Sequence, residues 1–92
     1  VQPYTEYLTG FLAAQVDTDD EFTRVARRLA ANVRLKLQHE VALKRLILDR
    51  HRPKPLPYVE ADRCPRCAMM WPCAEVRALA LVYSAHPDYR AA

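Results

Sequence analysis

An all-α small domain is the fold this sequence predicts: a helical hairpin, a proline-rich linker, a cysteine knuckle and a C-terminal helix, stabilised by a metal. Three observations predict it. The first 50 residues carry amphipathic runs with a single Gly and one early Pro. Pro53, Pro55 and Pro57 fall within five residues, and Cys64, Cys67 and Cys73 fall within ten. At 92 residues, 51% hydrophobic and 27% charged, the chain is sized for one ordered globular domain, 1–92. A core this small usually needs a metal, a disulfide or a partner subunit to hold it.

The hairpin is expected over residues 4–50. Tyr4, Tyr7, Leu8, Phe11, Leu12 and Val16 recur at helical spacing after Pro3, which gives a first helix of three to four turns. Asp17-Thr18-Asp19-Asp20-Glu21 then offers a turn and an N-cap, with Thr18 and Glu21 at capping-box spacing. A second helix should start there, with Phe22, Val25, Ala26, Leu29 and Val33 as its inward stripe and the first helix as its partner. No Gly or Pro occurs from Asp19 to Arg50, and a further stripe runs through Val41, Leu43, Leu46, Ile47 and Arg50. A straight helix of that length would be about 48 Å long, so a break is expected near Asn32 to Lys36 unless the chain dimerises.

Residues 51–63 read as an extended linker, because closely spaced prolines exclude helix and sheet interior. Tyr58-Val59-Glu60 suggests a short edge strand. Residues 64–73 form the knuckle, and the last helix covers 73–85, with Pro72 at its start and Val76, Leu79, Ala80 and Tyr83 on one face; Pro87 ends it. Trp71, Tyr83 and Tyr89 read as core rather than as a stacking platform, and Met69 and Met70 as gap-fillers under the knuckle.

Charge is segregated along the chain. Residues 1–23 hold five acids and no base, whereas residues 24–54 hold ten bases and two acids, a net charge of +8. Arg24, Arg27, Arg28, Arg34, Lys36, Lys44 and Arg45 are therefore the candidate residues for meeting an acidic partner. No apolar stretch reaches membrane-spanning length and no secretory signal pattern opens the chain. With an odd number of cysteines at Cys-x-x-Cys spacing, this points to the cytoplasm. The lone Gly leaves no phosphate-cradling loop and no nucleophile elbow, which argues against an NTPase, a Rossmann enzyme or a serine hydrolase.

Zinc takes four tetrahedral ligands from thiolate and imidazole, and the three cysteines lack one. Three histidines could complete the set. His51 is the first choice, because it ends the basic helix and the linker can fold back over the 13 residues to Cys64; His86 comes second and His39 third. A Cys3His set closes the site, leaves no position for a reacting water and so favours a structural zinc.

The spacing Cys-x-x-Cys-x5-Cys also resembles the core of the actinobacterial WhiB-like regulators, which implies an iron–sulfur cluster as the alternative cofactor. This chain has neither their upstream cysteine nor their Trp-Gly-Gly turn, so His51 would have to stand in for a thiolate. Over a longer stretch, Trp71-Pro72-Cys73 followed by Arg77, Leu79-Ala80-Leu81, Tyr83 and His86-Pro87-Asp88-Tyr89 is similar to the terminal signature of a family of short actinobacterial and phage proteins of unknown function. That resemblance implies a role for His51, Cys73 and His86 and no reaction. The sequence as a whole predicts a non-enzymatic zinc-binding regulatory or adaptor module whose partner is a protein. The alternative is a DNA-binding regulator using the basic helix, and a homodimer is compatible with either.

Overall fold

The computed structural model describes residues 2–26, 28–58 and 61–91, and within them the chain is not purely helical. Three helices, α1 (Pro3–Val25), α2 (Ala31–Arg50) and α3 (Ala74–Leu81), are joined by a small antiparallel sheet of β1 (Lys54–Pro55), β2 (Asp62–Cys64) and β3 (Met69–Met70), in the order β1-β2-β3. This corrects the all-α expectation. The strands pair in a simple meander, Lys54 opposite Arg63 and Pro55 opposite Asp62, then Arg63 opposite Met70 and Cys64 opposite Met69. Prolines did not exclude a sheet because β1 is an edge strand, where a missing N–H costs no ladder bond. Leu56 N–H closes the loop onto Ala61 O at 3.2 Å. Val59 and Glu60, expected with Tyr58 to form an edge strand, lie outside the described residues, and Tyr58 itself sits in a turn.

The hairpin turn lies at residues 26–30, not at 17–21. Helix α1 runs unbroken through Asp17–Glu21 because the groups that might have capped a new helix are satisfied otherwise. Thr18 Oγ1 donates to Ala14 O and Thr23 Oγ1 to Asp19 O, each back along the same helix. The acids are neutralised from across the hairpin: Lys44 reaches Asp19 at 3.1 Å, and Arg45 bridges Asp17 and Asp20 at 2.9 and 3.0 Å. Arg34, near the start of α2, donates to Thr23 O and Ala26 O at the C-terminal end of α1.

The inward stripes also differ from those expected. On α1, Thr5, Leu8, Leu12, Val16 and Thr23 are buried at steps of three, four or seven, while Phe22 and Val25 are exposed. On α2 the residues turned toward α1 are Arg34, Leu37, Val41, Lys44 and Leu48, of which only Val41 is fully buried; Leu43 and Leu46 face solvent. The hydrophobic core sits at the other end of the hairpin, where Leu8, Phe11, Leu12, Trp71, Val76, Leu79 and Ala80 pack with Cys64 and Cys73. Met69 and Met70 do not fill a gap there but stand exposed on β3. The described chain extends 52 × 27 × 16 Å with a radius of gyration of 14.8 Å, against about 12 Å for a compact domain of this length. The excess is the far half of the hairpin, which projects beyond the core as an arm.

The C-terminal tail is strapped to α1. Tyr7 Oη donates to Asp88 O at 2.6 Å and accepts from Arg90 N–H at 2.7 Å, Tyr4 Oη donates to Arg90 O, and the Arg90 guanidinium lies 3.6 Å from the centre of the Tyr7 ring. Tyr83 and Tyr89 pack against the core, as expected. Tyr83 Oη also donates to Asp19 at 2.6 Å, which ties the end of α3 to the ion pair in the hairpin.

Candidate metal centre

Each side chain of the centre arrives by a short, locally dictated route. His51 is the C-cap of α2 and continues its inward stripe from Val41 through Lys44 and Leu48 at steps of three and four, so helical periodicity aims its ring into the core. Trp71 Nε1 donates to His51 O at 2.7 Å and holds the backbone there. Cys64 ends β2 and Cys67 lies on the turn to β3, where Ala68 N–H bonds Cys64 O at 2.9 Å. That turn needs a left-handed residue, and Ala68 supplies it at φ 55°, a conformation only Gly adopts without strain. Cys73 is the N-cap of α3.

These routes converge. His51 Nδ1 lies 3.2 Å from Cys64 Sγ and 3.4 Å from the sulfurs of both Cys67 and Cys73. The four ligand atoms all fall within 4.8 Å of one another. Around a tetrahedral zinc, bonds of about 2.3 Å to sulfur and 2.05 Å to nitrogen place nitrogen and sulfur about 3.6 Å apart. The observed separations agree with that to within a few tenths of an ångström, with one nitrogen equidistant from three sulfurs. The group could therefore bind a metal ion such as zinc, and its thiolate-rich, closed set suits zinc better than a hard oxygen-seeking cation. The other two histidines are elsewhere. His86 packs edge-on against Phe11, with ring centres 5.4 Å apart, and accepts from Asp88 N–H through Nδ1; His39 is exposed on α2.

Crowding shows in the proton affinities. Burial pushes the Cys67 thiol up, and the neighbouring Cys73 and Cys64 sulfurs push it further, to about 12. Burial also works to raise Cys64, but backbone N–H donors from Cys67 and Arg66, with His51 and Cys73, outweigh it and bring that thiol down to about 7. Three sulfurs this close resist joint ionisation until a cation is placed between them, a role that a divalent metal could fill.

Two residues not anticipated from the sequence support the centre. Glu75 accepts from His51 Nε2 at 2.6 Å, which leaves the lone pair on Nδ1, the atom facing the sulfurs. Its position two residues after Cys73, in the first turn of α3, is the signal that could have found it. Asp62, buried beside Cys64, accepts from Gln2 N–H at 2.9 Å and so anchors the start of α1 to the sheet. Burial works to raise the Asp62 carboxyl, yet hydrogen bonds from Thr5 and the Gln2 backbone hold it below the usual carboxylate range.

The candidate basic residues differ in what they meet within the chain. Arg34, Lys44 and Arg45 are spent on α1 as described, and Arg24 pairs with Asp20 and Glu21 on its own helix, each at 3.9 Å. Arg28 and Lys36 make no ion pair among the described residues, and Arg27 lies outside them. Through Lys44 and Arg45, part of the charge segregation along the sequence becomes an attraction between the two helices of the hairpin.

Hairpin, sheet and centre define a small domain in which one Cys3His cluster, able to hold a metal ion, joins α2, the sheet and α3. The chain belongs to a family of unknown function (DUF6221), which it matches over residues 35–92 and which therefore takes in all four candidate ligands. An uncharacterised family is what the C-terminal resemblance implied. No curated protein and no solved structure matches the chain. Among the described residues no helix is long and apolar enough to cross a membrane.

Proposed function

We propose that this protein is a non-enzymatic adaptor or regulatory module in which a structural zinc fixes the shape of a domain that binds a protein partner. The observation that carries the reading is the closed ligand set: three sulfurs lie 3.2–3.4 Å from one imidazole nitrogen, and four such ligands leave no position for a substrate or a reacting water. An iron–sulfur cluster fits less well, since cluster sulfides would have to separate ligands that already stand within 4.8 Å of one another. Protein is favoured over nucleic acid because Lys44 and Arg45 are engaged with Asp17, Asp19 and Asp20 across the hairpin, whereas Phe22, Val25, Leu35, Leu43 and Leu46 remain exposed. Three unpaired thiols in such a cluster suit a reducing compartment, the cytoplasm among them.

Cobalt substitution tests this reading. Cobalt(II) added to metal-free protein should give the intense visible d–d bands of a four-coordinate, thiolate-rich site, unchanged by azide or other small anions. Weak six-coordinate bands, or bands that shift on adding anions, would show an open site and contradict the structural assignment.

A further inference from the structure

We infer that the outer face of α2 is a docking surface for a second copy of this chain, which pairs with it antiparallel across a two-fold axis. This names one partner within the protein-binding reading, and it does not depend on the metal.

Helix α2 has 20 residues and a single fully buried one, Val41. Opposite Val41, Leu35, His39, Leu43 and Leu46 fall within an arc of about 80° at 3.6 residues per turn. Leu35, Leu43 and Leu46 are 53%, 57% and 45% exposed, and neither α1, the sheet nor α3 covers them. A scattered exposed leucine needs no explanation, but three in one helical stripe on a projecting arm form a seam.

The order of residues along the seam selects the occupant. Read outward from the level of Val41, His39 and Leu43 lie two residues to either side, Asn32 and Arg50 nine, and Leu35 and Leu46 six and five, one residue short of exact balance. Two copies related by a two-fold axis at that level therefore set Leu35 of each beside Leu46 of the other and His39 beside Leu43, with polar ends at both limits. A closed interface of this kind is self-complementary by construction.

The area is consistent with a reversible dimer. Side-by-side pairing along a helix about 30 Å long removes on the order of 500 Å² of accessible surface per copy. The total, about 1,000 Å², is the threshold at which a specific interface is expected, which points to micromolar association.

Sedimentation velocity of the metal-loaded full chain, from about 1 µM to about 500 µM, tests the proposal. The expected result is a shift from monomer to dimer within that range. Leu43→Glu should raise the dimer dissociation constant at least about 100-fold, since each dimer carries the change twice at its centre. Its circular dichroism and metal content should match the unaltered protein, because the position is exposed. Leu35→Lys and Leu46→Glu should each weaken the dimer, and combining them in one chain should restore part of the affinity, because antiparallel pairing sets each new lysine against a new glutamate. A chain that stays monomeric throughout overturns the proposal and leaves the metal assignment standing. So does a dimer indifferent to Leu43→Glu, and a double variant weaker than both singles overturns the antiparallel arrangement.

Discussion

Replacing Glu75 tests whether the imidazole of His51 is held for metal. Its carboxylate takes the Nε2 proton at 2.6 Å while Nδ1 faces the three sulfurs, so losing it frees the ring to rotate and to change tautomer. Such supporting contacts are worth 10- to 100-fold in metal affinity as a rule, about 1.4 to 2.8 kcal/mol. The Glu75 side chain is 62% exposed and water competes for the contact, which places Glu75→Ala near the lower limit, about 10-fold weaker. Glu75 also lies in the first turn of α3, where a negative charge favours the helix by a few tenths of a kcal/mol. Glu75→Gln separates the two effects: it removes the same charge yet keeps an amide oxygen that can accept from Nε2. Competition against a chromophoric chelator at fixed pH, on all three proteins, should rank affinity as unaltered, then Gln, then Ala. If Glu75→Ala binds zinc within twofold of the unaltered protein, the Glu75–His51 contact does not hold the ligand and the reasoning fails.

Other perturbations have equally direct readouts. Arg34→Ala strips the side-chain donors from Thr23 O and Ala26 O and should cost about 1–2 kcal/mol in urea unfolding of the metal-loaded protein. Arg34→Lys should recover less than half of that, because an ammonium lacks the planar fork that serves two carbonyls at once. Ala68→Gly relieves a left-handed alanine in the Cys64–Cys67 turn and should raise stability by up to about 1 kcal/mol, despite the greater freedom of Gly in the unfolded chain. A loss on that substitution would mean that the turn is not strained. Raising salt to about 1 M should leave the urea-unfolding midpoint nearly unchanged, since the Arg45 pairs with Asp17 and Asp20 are open to solvent.

The four ligands were legible in the sequence because each rule involved is local. Cys-x-x-Cys makes a turn, a helix start carries Cys73, and His51 ends the basic helix where the linker can fold back to Cys64. The hairpin turn was not legible, because local and tertiary terms compete for the same residues. Asp17–Glu21 has the composition of an N-cap, yet Thr18 bonds back to Ala14 O and the acids meet Lys44 and Arg45 across the hairpin, while Arg34 bonds carbonyls at the end of α1. The stripe on α2 was misassigned for a related reason. Its outer leucines are more hydrophobic than its inward Arg34 and Lys44, so hydrophobicity alone points to the wrong face as the one that α1 covers. The sheet was missed because its strands are two or three residues long, too short for a period-two pattern to register.

The central claim, that His51, Cys64, Cys67 and Cys73 hold one structural metal, is tested most directly by native mass spectrometry with elemental analysis of protein purified without chelator. One zinc per chain is the expected result, with no iron, no visible absorbance, and release of the ion on Cys64→Ser or His51→Ala. Protein that carries no stoichiometric metal, and whose thermal transition is the same with zinc and with a strong chelator, would contradict the account.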